Sequence, residues 1–235
     1  MVHCVNADTA LNAWRYGARL LMDSGEAFNL ITTVANPTTT DQSWFREYNP
    51  ARFKADIQSV SDVATTIFPY KYLTRGYSRP ELYDRYVNVH ERAKKIHKQR
   101  GRRWGTYFDR MIRFGSEDVN QLERVIHALR TWRNNTKAAL MIHISSADTD
   151  RPKPIGGPCL QYVELLCPDK DLVSLLAVYR NHDYFEKVLG NFVGLGQLLK
   201  FICEETNRNP GPLVCHSAHA YFQSTKSNLK ALARL

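Results

Sequence analysis

GPCLQYVELLCPDKDLVSLLAVYRNHD, residues 157–183, decides how this chain folds. Leu160 to Leu166 and Leu172 to Val178 are apolar runs of strand length, separated only by Cys167-Pro168-Asp169-Lys170-Asp171. Proline and aspartate halt strands and suit turns, and so short a link joins neighbours running in opposite directions, so the stretch predicts an antiparallel hairpin. Upstream, Ala138 to Ile144 reads as a buried strand. Before it, Val119, Leu122, Val125, Ile126, Leu129 and Trp132 fall on one helical face that stops near Asn134-Asn135, with Ser116 as the expected cap and Glu117 and Asp118 at the positive end. Downstream, Phe192, Leu195, Leu198, Leu199 and Ile202 form the apolar face of a long helix ending near Asn207, and Pro212 to Tyr221 reads as a last strand.

The first half mixes both periods. Ala10 to Met22 carries Leu11, Trp14, Ala18 and Leu21 at helical spacing and meets a stop at Ser24-Gly25. Leu30 to Val34 is a β-branched run halted by Asn36-Pro37, and Asn49-Pro50 marks a turn before the apolar segment Ile57 to Phe68. Arg79-Pro80 opens a helix that continues through Tyr86 and Val89 into a basic run closed by Gly101. There is no internal repeat and no low-complexity segment. A single α+β domain over residues 1–235 is expected.

Composition narrows the function classes. The chain has 43% hydrophobic residues, no apolar stretch of membrane length, and a start (Met1–Ser24) interrupted by Trp14-Arg15-Tyr16 and Arg19, so a soluble cytoplasmic protein is expected. Cys4, Cys159, Cys167, Cys203 and Cys215 are odd in number and lack zinc spacing, which favours free thiols over disulfides or a metal site. The net charge of +9 points to an anionic partner, a mononucleotide, a polyglutamylated cofactor or nucleic acid. The basic run His90 to Arg103 reads as a solvated helix and exit loop, and with no ordered basic and aromatic motif a nucleic-acid module is the weaker class.

Three pieces stand in order in the second half: Gly157-Pro158-Cys159, then Arg180-Asn181-His182-Asp183 with Asn191 following, then His219-Ala220-Tyr221. Over roughly Trp104 to Tyr221 this order resembles the thymidylate synthases and pyrimidine-nucleotide hydroxymethylases, especially their compact archaeal branch. Alone, a cysteine entering a strand reads as a small core residue. The resemblance implies instead that Cys159 is a thiolate that adds to C6 of a uracil or cytosine ring, making C5 nucleophilic toward a one-carbon unit from 5,10-methylenetetrahydrofolate. A soft nucleophile that ionises near neutral pH and leaves again suits such a step. The resemblance further implies that Arg180 holds the 5′-phosphate and faces the thiolate, that Asp183 orients the ring and the cofactor's pterin, and that Asn191 reads the base. A side-chain amide matches uracil one way round and cytosine when flipped. His219 and Tyr221, with Ser217, alternate along a strand and so share a face; the family's equivalent pair holds the sugar hydroxyl. Without the resemblance, Arg180 reads as a surface ion pair, Asp183 and Asn191 as helix-start residues, and His219 as an ordinary strand histidine.

The chain also departs from that pattern. Where two adjacent arginines would reach the partner's phosphate it reads Thr136-Lys137, leaving Lys137 to contribute, and the serine after the phosphate arginine is Asn181. The family's proton-relaying glutamate falls in Ser61-Asp62-Val63-Ala64-Thr65-Thr66-Ile67, where Asp62 is the available carboxylate, shorter by a methylene. The chain ends soon after Tyr221, without the extension that closes over folate in the large bacterial enzymes. The resemblance thus implies a mixed sheet with helices packed on one side and the other face used for a homodimer. It leaves two functions open: a C5 one-carbon transferase acting on dUMP, UMP, dCMP or CMP, or a catalytically inactive nucleotide-binding or regulatory protein.

Overall fold

The computed structural model describes residues 2–39, 58–96, 105–131, 138–150 and 156–234. In chain order it forms β1 (His3–Ala7), α1 (Ala10–Ser24), β2 (Glu26–Val34), α2 (Val60–Ile67), a 3₁₀ turn (Tyr70–Arg75) and α3 (Arg79–Ile96). There follow α4 (Tyr107–Ile112), α5 (Gln121–Thr131), β3 (Ala138–His143), β4 (Leu160–Cys167), β5 (Leu172–Tyr179), β6 (His182–Asp183), α6 (Val188–Thr206), β7 (Asn209–Tyr221) and α7 (Lys226–Ala233). Asn49-Pro50, Gly101 and Asn134-Asn135 lie outside the described residues, as do Lys137 and part of the basic run.

The strands form one mixed, open sheet in the order β1-β2-β7-β5-β4-β3, with β6 added beside β7. The β4–β5 pair is antiparallel, as the short link requires, and β5 then runs parallel to β7 across the α6 crossover. Along β5 every second residue is buried, Val173, Leu175, Ala177 and Tyr179, and the same alternation runs through Leu213, Cys215 and Ser217 of β7. Those buried residues meet Trp14 and Leu21 of α1 and the apolar length of α6. The alternate positions, among them Ile31, Val214, Leu176, Val178, Tyr162 and Met141, make the opposite face, which is less covered. The class is therefore mixed α and β, consistent with α+β.

Local chemistry places several boundaries. Thr9 caps α1 by accepting the Asn12 N–H, and Asn207 ends α6 in the left-handed conformation at φ 53°. The expected start of α5 needs correction. Phe114 pairs with Val119 across a turn in which Asp118 has φ 50°, so Val119 precedes the helix. The cap is Asn120, whose Oδ1 accepts the Glu123 N–H at 3.0 Å, and not Ser116.

Close helix packing brings the first half of the chain to the second. A Cβ at Gly194 of α6 would lie 2.8 Å from the Ala64 carbonyl oxygen of α2, and one at Gly190 would lie 2.7 Å from Val63 Cγ1. The glycines let the two helices approach until backbone meets side chain. Asn191, beside Gly190, is thereby held next to α2.

Candidate active site

The hairpin register sets the nucleophile beside the arginine. Leu160 pairs with Tyr179, and the Arg180 N–H donates to the Cys159 carbonyl at 2.9 Å. Gly156 and Gly157, at φ 90° and 78°, turn the chain into β4, and the Arg180 guanidinium donates to the Gly156 carbonyl. Gln161 steadies the same corner by donating to the Pro158 carbonyl at 2.9 Å. Burial raises the Cys159 thiol above its ordinary value, and the charge of Arg180 and a hydrogen bond from it oppose that rise.

Beyond Arg180 the chain adds β6 to β7, pairing His182 with Ala220 and Asp183 with Tyr221. One Asp183 oxygen accepts the N–H groups of Phe185 at 3.0 Å and Gln223 at 3.3 Å. Burial nevertheless holds its carboxyl above the usual value, with those backbone donors pulling the other way. Burial likewise raises the Tyr221 phenol, reinforced by the Asp183 carboxylate and the Cys159 sulfur nearby.

A cavity of about 320 Å³ collects these groups. Cys159, Asn181, Asp183, Asn191 and Tyr221 line it together with His182, Glu186 and Lys187. Gln58, Val63 and Thr66 close it from the α2 side, and Gly105, Thr106 and Tyr107 from the start of α4. Arg180 lines a second cavity of about 350 Å³ with Ser145, Ser146 and Asp150, and Gly156 and Gly157 form the wall common to both. Asp150 is already engaged there by Arg110, whose Nη2 donates to Oδ1 at 2.7 Å.

Other expected residues are placed elsewhere. Asp62 is exposed on α2 and does not line the cavity, which receives Val63 and Thr66 from that helix. Ser217 is fully buried and bonds His182, not the cavity. The face expected to carry Ser217, His219 and Tyr221 together is interrupted, because the buried positions of β7 pass from Ser217 to Ala220 where Asn29 on β2 adopts φ 55°. His219 lies outside the cavity lining. Its Nδ1 meets Asn181 Oδ1 at 3.1 Å and its Nε2 meets Glu26 at 2.9 Å, with Phe28 and Tyr221 stacked beside it. Lys137 lies outside the described residues.

The sequence reading missed His182, Glu186 and Lys187. His182 stood as the spacer in the Arg-to-Asp motif, and Glu186-Lys187 as the run between Asp183 and Asn191. The visible signal was two charges at the entry of a helix that carries no further charge until Lys200. Lys187 Nζ donates to Gln58 at 2.6 Å and stands 3.3 Å from Glu186. Among the described residues no group of three or more His, Cys, Asp or Glu side chains is placed to hold a metal ion, and no helix is long and apolar enough to cross a membrane.

No family model matches the chain. A protein of Methanosarcina acetivorans described as "Putative thymidylate synthase" is 30% identical to it over 118 residues, 49% of this chain and 52% of that protein. The chain thus spans about half the length of the curated relative it matches.

Proposed function

We propose that this protein is a pyrimidine-nucleotide C5 one-carbon transferase working through a covalent Cys159–C6 adduct. The observation that carries the reading is the convergence of Cys159, Asp183, Asn191 and Tyr221, distant in sequence, on one cavity beside Arg180. In the proposed reaction the Cys159 sulfur bonds to C6 of the ring, the C5–C6 double bond opens, and the electron pair is carried on C5 and, through C4, on O4 of uracil or N3 of cytosine. Once C5 is joined to the one-carbon unit, its hydrogen leaves as a proton and the thiolate is expelled from C6, which restores the double bond. Arg180 stabilises the thiolate before attack and faces the second cavity, where the nucleotide phosphate would lie, with Lys137 as a further basic group. Asn191 presents its amide to the base edge, and Asn181 and Tyr221 border the sugar. His219, tied to Asn181, acts through that neighbour, and Ser217 acts through His182.

The donor set fits 5,10-methylenetetrahydrofolate. Asp183 keeps one carboxylate oxygen free of its two backbone donors, an acceptor for the N–H edge of a pterin, and the Lys187 ammonium suits an anionic glutamate tail. When bound, that cofactor would supply the one-carbon unit. Among the described residues Asp183 and Glu186 are the carboxylates lining the cavity, and proton relay to the pyrimidine oxygen is assigned to them and not to Asp62. A homodimer through the less covered sheet face and a cytoplasmic location accompany this reading.

One observation favours a second reading, a catalytically inactive nucleotide-binding protein: α2 offers the cavity Val63 and Thr66 in place of a carboxylate. Release of tritium from 5-tritiated dUMP, UMP, dCMP and CMP separates the two. The transferase reading expects release with at least one substrate, lost by at least about a thousandfold in Cys159→Ala. Nucleotide binding without release at near-stoichiometric protein supports the second reading.

A further inference from the structure

His182 is the most constrained polar side chain beside the cavity. It is buried, and its ring stacks on Tyr179 at 4.0 Å with the planes 4° apart. Its Nε2 lies 3.0 Å from Asn191 Nδ2, and its Nδ1 lies 2.8 Å from Ser217 Oγ. Burial lowers its value to about 3, so the ring is neutral and carries one donor and one acceptor nitrogen.

A neutral imidazole makes its two partners interdependent. Where Nε2 accepts from the Asn191 amide, Nδ1 carries the hydrogen and donates to Ser217. Where Ser217 donates to Nδ1, Nε2–H must meet the amide oxygen and the amide is turned over. The placement of the Asn191 amide chooses between these. Asn191 Nδ2 can only donate and stands 3.0 Å from Nε2, so Nε2 accepts, Nδ1 carries the hydrogen and Ser217 Oγ accepts it at 2.8 Å. One amide hydrogen is then spent on His182, and the carbonyl oxygen with the second hydrogen is left for the cavity that Asn191 lines.

We infer that His182 is a specificity-determining positioning residue: relayed from Ser217, its Nδ1–H tautomer locks the Asn191 amide in the orientation that accepts from N3–H and donates to O4 of uracil. Cytosine presents the reverse pattern and pairs only with the turned-over amide, which requires the other tautomer. The inference rests on the proposed placement of the base against Asn191 and names its substrate class, the uracil nucleotides.

Two measurements test it. Long-range ¹⁵N–¹H spectra of the wild-type imidazoles should place the hydrogen on Nδ1 of His182, and an Nε2–H tautomer would overturn the inference. Calorimetric titration should give wild type a uracil-over-cytosine preference of at least about tenfold, the scale of one mismatched hydrogen bond. Ser217→Ala and His182→Phe, the latter keeping the stack on Tyr179, should reduce that ratio to within about threefold, and Ser217→Thr should restore it. A preference abolished by Asn191→Ala yet unchanged in folded Ser217→Ala and His182→Phe proteins overturns the role of His182 and leaves the base site standing. Wild type that binds none of dUMP, UMP, dCMP and CMP removes the base site and the inference together.

Discussion

Cys159 and Arg180 show how two neighbouring residues set one another's electrostatics. Burial disfavours the thiolate and outweighs the opposing charge and hydrogen bond of the guanidinium, so the resting thiol titrates above its ordinary value. The rate of Cys159 alkylation by iodoacetamide should therefore rise through an alkaline midpoint. Arg180→Met should move that midpoint further up, and a downward move would show that the guanidinium does not act on the sulfur. Asp183 has the reverse kind of consequence for stability. Its folded value is raised, so between the ordinary carboxylate value of 3.8 and the raised one the native state holds more proton than the unfolded chain. Its contribution is full below the ordinary value and is lost as pH rises through the raised one. Urea unfolding across that window should show a shallower loss with rising pH in Asp183→Asn, and an unchanged slope would count against the raised value. The residue types of this site were legible as motifs, whereas His182 was not. A spacer between two named residues gives no sign of which way it points until β6 pairs with β7.

At the scale of elements, periodicity carried most of the reading. The hairpin, α1, α3, α6 and the last strand stand close to where apolar spacing and turn residues put them. β1, α4, β6 and α7 went unread, because they are short or at an end and draw their order from partners elsewhere in the chain. Helix phase also decides Asp62. Val60, Val63, Ala64 and Ile67 form the buried stripe of α2, and Asp62 stands off it in solvent. Asp62→Ala should therefore leave tritium release within about twofold of wild type, and a large loss would return that carboxylate to the chemistry. The α2–α6 contact is less forgiving. Gly194→Ala should cost about 1–3 kcal/mol in urea unfolding, since the methyl group meets the Ala64 carbonyl and Ile67. No loss of stability would mean that the helices are not so closely packed.

For the whole molecule, the open question is the sheet face opposite the helices. Met141 is 43% exposed there, and Phe28 beside His219 is 57% exposed. A back-to-back homodimer would cover that face, and sedimentation at micromolar concentration should give a dimer that Leu176→Glu converts to monomer. A wild-type monomer would set the dimer aside and leave the cavity, which one chain builds, unaffected. By itself the sequence determined the element periods, the β4–β5 hairpin and the order of the cysteine, arginine, aspartate and asparagine, because spacing, turn chemistry and residue type are local properties. Only the tertiary structure decided which side chains meet the cavity. It turned Asp62 outward, buried Ser217 behind His182, tied His219 to Asn181 and Glu26, and added Glu186 and Lys187. Strand register, helix phase and burial set those directions, and each depends on partners far away in the chain.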